Sequence, residues 1–190
     1  MSKHDHPTFD PAAGPASSVL TGSAAPTPVP DSAALDRIEA ESAQREVTGG
    51  CLCGTVRFAA KLCGHGYSAC HCAECRAWAG GPVLSVRTSW FVLTAGEDKV
   101  GFHRASETLE RSFCTCCGGH LSYRLVSQSG LRDNSLAMLG ALDDCETLPL
   151  NAELHADARL SSLGPLGAPT QIDTATMTAR RDMKLKTMTA

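Results

Sequence analysis

Aromatic residues are scarce in this sequence: the 190 residues include five Phe, two Trp and two Tyr. A domain of that size then has little aromatic area to bury, and small cores of this kind commonly need a metal or disulfide staple. Long apolar runs are missing as well. No stretch approaches the roughly 18 to 20 apolar residues of a membrane helix. The N-terminus, MSKHDHPTFD, has neither the basic start nor the apolar run of a secretory signal. No membrane partner is expected, and the chain is expected in the cytoplasm. A basic stripe is also absent, since 17 Lys and Arg are scattered among 20 Asp and Glu for a net charge of −3. Nucleic acid is therefore not an expected partner.

What the sequence does have is cysteine, ten in all. In a secreted chain that count suggests disulfides, whereas in a reducing compartment closely spaced cysteines read as metal or redox sites. The length suits one domain with tails. Residues 1–45 carry six of the ten prolines, with Ala, Ser and Thr between them, and too few large apolar residues to offset the entropy of folding. A disordered tail is expected there, with Asp31 or Ser32 able to cap a marginal helix through Leu35 and Ile38. From about residue 46 to 163, β-rich runs (TVRF at 55–58, VLSVRT at 83–88, WFVLT at 90–94, LSYRL at 121–125, LAMLGAL at 136–142) alternate with Gly and Cys turns. This is the pattern of a mainly β, mostly antiparallel domain. Residues 164–190 show no period of 2 or 3.6 and read as a loose C-terminal tail.

Eight of the cysteines fall in three groups: Cys51-Leu-Cys53-Gly54, Cys70-His-Cys72-Ala-Glu-Cys75 and Cys114-Thr-Cys116-Cys117-Gly118, with Cys63 and Cys145 apart. Two short Cys pairs from separate turns can surround a zinc ion tetrahedrally, with sulfur about 2.3 Å from the metal. A glycine after the second Cys lets the turn take a positive φ and aim backbone N–H groups at sulfur. On that basis Cys51, Cys53, Cys114 and Cys117 are expected to form a closed structural zinc site, although Cys116 could replace a member of the second pair. The middle group supplies three thiolates, Cys70, Cys72 and Cys75, as in a catalytic zinc with an open position. Three thiolates leave the ion weakly Lewis acidic, which suits an incoming thiolate better than hydrolysis. The other reading is that His71, Cys63, Cys116 or Cys145 closes this site and makes it structural too.

Competing motifs fail. Cys51-Leu-Cys53 is too tight for a classical zinc finger, and nearby glycines spoil its helix. Cys72-Ala-Glu74 echoes only half of a deaminase signature. A thioredoxin-like site needs a βαβ pattern that is not seen.

The order Gly50-Cys-Leu-Cys-Gly-Thr-Val-Arg-Phe58, Cys70-His-Cys-Ala-Glu-Cys-Arg76 with Trp78 and Gly80-Gly-Pro82, then Phe113-Cys-Thr-Cys-Cys-Gly118 resembles the glutathione-dependent formaldehyde-activating enzyme family, which shares its domain with centromere protein V. Ala141-Leu-Asp-Asp144 is similar to that family's late strand and turn. The resemblance implies a zinc-stapled β-tent with two zinc ions, a structural one on the first and third Cys groups and a catalytic one on the middle group. It further implies a carbon–sulfur lyase that combines glutathione and formaldehyde into S-hydroxymethylglutathione. Arg76 could pair with a glutathione carboxylate, and Trp78 could flank the pocket or sit in the core. The alternative is a non-catalytic zinc β module that binds glutathione or a protein partner.

Overall fold

The structure, a computed structural model, describes residues 45–107, 109–126 and 132–189. The expected N-terminal tail, with its helix through Leu35 and Ile38, lies outside the described residues apart from Arg45. The described chain is mainly β: β1 (Glu46–Gly50), β2 (Arg57–Leu62), β3 (Tyr67–Cys70), α1 (Ala73–Ala79), β4 (Val83–Ala95), β5 (Val100–Arg104), β6 (Leu109–Cys114), β7 (His120–Val126), β8 (Arg132–Met138), β9 (Leu150–Leu154), β10 (Thr170–Ile172) and α2 (Thr174–Thr189).

Strand β4 organises the rest. The runs VLSVRT and WFVLT, separate in the sequence reading, form one strand of 13 residues. Its first half pairs with β3 and β8, and its second half pairs with β2, which in turn pairs with β1. The remaining strands extend outward in the order β10-β9-β3-β4-β8-β7-β6-β5. Period-2 alternation explains β2, where Phe58, Ala60 and Leu62 face inward and Arg57, Ala59 and Lys61 do not. Those inward residues join Val56, Val86, Leu121 and Ala137 in the main core. Its one fully buried aromatic ring, Phe58, stacks on Phe91 at 4.6 Å. A core this poor in rings leaves stability to be found elsewhere.

The ladders are mostly antiparallel, as expected, while β9 runs parallel to both β3 and β10. Two expectations need correction. The run at 136–142 is strand only to Met138, after which Leu139–Ala141 makes a single 3₁₀ turn. The last segment is not a loose tail. Thr170–Ile172 bonds to β9, Ile172 is fully buried against Ala152, and Asp173 Oδ1 accepts from the Thr176 N–H at 2.8 Å to cap α2. Three residues carry too little period to read, and a parallel ladder is set by a distant partner strand. Among the described residues, no helix is long and apolar enough to cross a membrane.

Candidate metal centres

Cys51 and Cys53 sit in the turn between β1 and β2, while Cys114 ends β6 and Cys117 lies in the turn between β6 and β7. Folding brings the four sulfurs within 4.8 Å of one another. Cys51 Sγ and Cys53 Sγ are 3.5 Å apart, and Cys53 Sγ and Cys114 Sγ are 3.9 Å apart. A tetrahedron with bonds of about 2.3 Å puts its corners about 3.8 Å apart, so the four sulfurs fit a zinc ion. The two glycines behave as their chemistry requires, with φ +77° at Gly54 and +72° at Gly118. Backbone N–H groups converge on sulfur: Val56 N donates to Cys51 Sγ at 3.2 Å, and Gly119 N–H draws the Cys117 thiol down. Hydrogen bonding with Thr55 pulls Cys53 to about 6, while burial pushes Cys51 and Cys114 up. Cys116, the expected competitor, is exposed and stands outside the cluster.

The second cluster forms where β3 ends and α1 begins. Cys70 is the last residue of β3, Cys72 caps α1 by accepting from Cys75 N at 3.4 Å, and Cys75 lies in the first turn. The three sulfurs lie within 4.8 Å of one another, and among the described residues no fourth Cys, His, Asp or Glu joins them. Three thiols this close cannot all ionise without a cation. Contact with Cys70 and Cys75 drives Cys72 down to about 2, while contact with Cys72 pushes Cys70 up to about 11 and contact with Cys70 raises Cys75 further. Ionising one sulfur thus disfavours ionising its neighbours, and a soft divalent ion would complete this donor set by displacing the remaining protons.

His71 does not close this cluster. Alternation along an extended chain turns it away from Cys70 and Cys72, and its Nε2 lies 3.1 Å from Glu153 Oε2, with both side chains fully buried. Cys145 packs against the main core, and Cys63 lies apart from both clusters. Arg76 is half-buried on α1, with its Nε unpartnered among the described residues. Trp78 is half-buried too, stacked on His120 at 4.1 Å, with the Arg111 guanidinium 4.6 Å from its ring centroid. The Trp78–His120 stack links the helix that carries Cys75 to the turn that carries Cys117.

Residues near the open cluster that sequence reasoning missed include Tyr123, Ser85, Glu153, His155 and Arg159. Tyr123 Oη lies 3.0 Å from Ser85 Oγ. Burial pushes Tyr123 up, so it keeps its proton. Its neighbours could not be read from alternation. A bulge between Ser112 and Phe113 resets the register, so that Ser112 opposes Ser122 but Phe113 opposes His120. His155 takes φ +53°, the only such non-glycine residue among those described. A cleft of about 560 Å³, lined in part by Cys51, Leu52, Gly119 and His120, opens beside the four-cysteine cluster. That volume is typical of small-molecule sites, roughly 300 to 1,000 Å³.

A family model described as glutathione-dependent formaldehyde-activating enzyme matches residues 46–158. Among solved structures, a protein from Rhodobacter sphaeroides is similar at 16% sequence identity and a TM-score of 0.45, with 66% of this chain and 98% of that chain covered. No curated protein matches the sequence.

Proposed function

We propose that this chain, which belongs to the glutathione-dependent formaldehyde-activating enzyme family, is a zinc-dependent carbon–sulfur lyase that forms S-hydroxymethylglutathione from glutathione and formaldehyde. The observation that carries the reading is the cluster of Cys70, Cys72 and Cys75, three sulfurs within 4.8 Å and no fourth protein donor among the described residues. A zinc ion held there would offer a fourth, exchangeable position to a thiol and lower its pKa. The second zinc, on Cys51, Cys53, Cys114 and Cys117, would be structural.

The reaction is an addition without redox change. The sulfur lone pair forms the S–C bond, the carbonyl π pair moves onto oxygen, and that oxygen ends with the proton the thiol gave up. Tyr123, whose hydroxyl keeps its proton and is hydrogen-bonded with Ser85, would hydrogen-bond the developing alkoxide. Trp78 stacks on His120, and Arg111 over the Trp78 ring or Arg76 on the same helix would meet a glutathione carboxylate. The ten unpaired cysteines fit a reducing compartment such as the cytoplasm.

The test is calorimetry with glutathione and with S-methylglutathione, alongside an assay of formaldehyde loss. Glutathione is expected to bind much more tightly, with apparent affinity rising with pH as its thiol ionises. Equal affinity for both ligands would overturn the metal–thiolate reading. Tight glutathione binding with no turnover would favour a glutathione-binding module.

A further inference from the structure

Directly behind the open cluster lies a buried charged assembly that the proposed reaction does not use. Glu153, on β9, is fully buried. Its Oε2 accepts from Arg159 Nε at 2.9 Å and lies 3.1 Å from His71 Nε2, while its Oε1 accepts from the Leu166 N–H at 3.0 Å. A carboxylate can only accept, so the His71 proton sits on Nε2. His71 Nδ1 is buried and without a partner among the described residues. One negative and one positive charge balance, and a buried pair of this kind is costly to break from either side.

His71 is held by its backbone as well, through its N–H to the Leu154 carbonyl at 2.9 Å. The residue between ligands Cys70 and Cys72 is thus fixed both through its ring and through its peptide. Two of the groups that do this, Arg159 and the Leu166 N–H, lie beyond residues 46–158, the span matched by the family model. The segment that carries them is anchored by Thr174, whose N–H and Oγ1 donate to Asp157 Oδ1 at 2.7 and 2.8 Å.

We propose that Glu153 is a positioning residue for the metal cluster of Cys70, Cys72 and Cys75: acting through His71, and locked by Arg159 and Leu166, it sets the spacing of the first two sulfurs and so the retention of the ion. The C-terminal segment is then part of the site and not an appendage. The inference rests on the reading that these three cysteines hold a metal. Support behind a metal ligand is commonly worth 10- to 100-fold in affinity.

The test is release of zinc from the loaded full chain to a chromogenic chelator under anaerobic conditions. Wild type should release two ions in two phases, slowly from the four-cysteine cluster and faster from the open one. Glu153→Asp keeps a carboxylate but withdraws it by one methylene from His71 and Arg159, which share Oε2. It should speed the fast phase roughly tenfold or more and leave the slow phase nearly unchanged. His71→Leu should match it, whereas His71→Gln, which restores an N–H donor, should return much of the wild-type rate. That rescue is not expected of a residue that merely fills space. Wild-type fast-phase rates in both Glu153→Asp and His71→Leu would overturn the inference. So would identical rates in His71→Leu and His71→Gln, and this pair decides the matter should Glu153→Asp fail to fold. A wild-type chain that binds a single ion would overturn the two-metal reading itself, and the inference with it.

Discussion

The two cysteine clusters differ in how their sulfurs are supported. The four-cysteine cluster joins two turns far apart in sequence, at 51–53 and 114–117, and clamps β1–β2 to β6–β7. Its support is local, from glycine turns and backbone N–H groups aimed at sulfur. The three-cysteine cluster joins nothing distant, since Cys70, Cys72 and Cys75 lie within six consecutive residues. Its support is remote, from Glu153, Arg159 and Leu166. A cluster that crosslinks strands contributes to folding, while one confined to a single turn can leave a coordination position open.

The sharpest way to break this comparison is to delete one ligand from each side. Cys117→Ala should unfold the domain, because a structural zinc site contributes on the order of 10 kcal/mol, comparable to the whole stability of an ordinary domain, roughly 5 to 15 kcal/mol. Cys72→Ala should keep the fold and lose activity. Comparable melts for the two variants would show that the division between structural and chemical clusters is wrong.

A smaller effect is expected at Tyr123. Tyr123→Phe removes the hydroxyl beside Ser85 without touching a cysteine. It should lower kcat for formaldehyde consumption roughly 100-fold while zinc content stays at the wild-type level. Unchanged kcat would remove Tyr123 from the chemistry.

Acid should also separate the clusters. Cys70 is pushed up to about 11 and Cys75 further, chiefly through contacts among the three thiols. Their protons must leave when an ion binds, and they return as the pH falls. On titration from about pH 8 to about pH 5 the open cluster should give up its ion before the closed one. A chelating indicator follows the two losses, and simultaneous release would contradict the expected difference in support.

The smallest effect concerns the rim of the closed cluster. Arg57 holds Asp143 below the usual carboxylate range, chiefly by hydrogen bonding. The folded value lies below the unfolded one, about 3.9. The stabilisation is therefore present above that pH and is lost as the pH falls through the folded value. Both side chains are substantially exposed, at 39% for Arg57 and 45% for Asp143, so Asp143→Asn should cost less than about 1 kcal/mol at neutral pH. Melts at pH 7 and at low pH check this, because the cost should vanish in acid.

Much of the site was legible because ligand chemistry is local. Cys-x-Cys-Gly and Cys-Cys-Gly carry their own turn geometry, and the positive φ at Gly54 and Gly118 is what a glycine after a ligand cysteine is for. The mainly β character of the domain likewise followed from β-branched and apolar runs between turns. Glu153 gave no such signal, since it is one acidic residue in LNAEL, where the short-range pattern suggests an exposed position. Its burial depends on Arg159, six residues on, and on His71, 82 residues back.

By itself, then, the sequence determined which cysteines could group and that a β domain would present them, because turn propensity and ligand spacing act over a few residues. It left open whether Cys114 pairs with Cys116 or Cys117, and what stands behind the middle cluster. The tertiary structure decided both. The β6–β7 turn carries Cys117 inward and leaves Cys116 exposed. The parallel pairing of β9 with β3 and β10 brings Glu153 and the C-terminal segment against His71. That pairing depends on contacts between segments distant in the chain, which no local pattern of residues encodes.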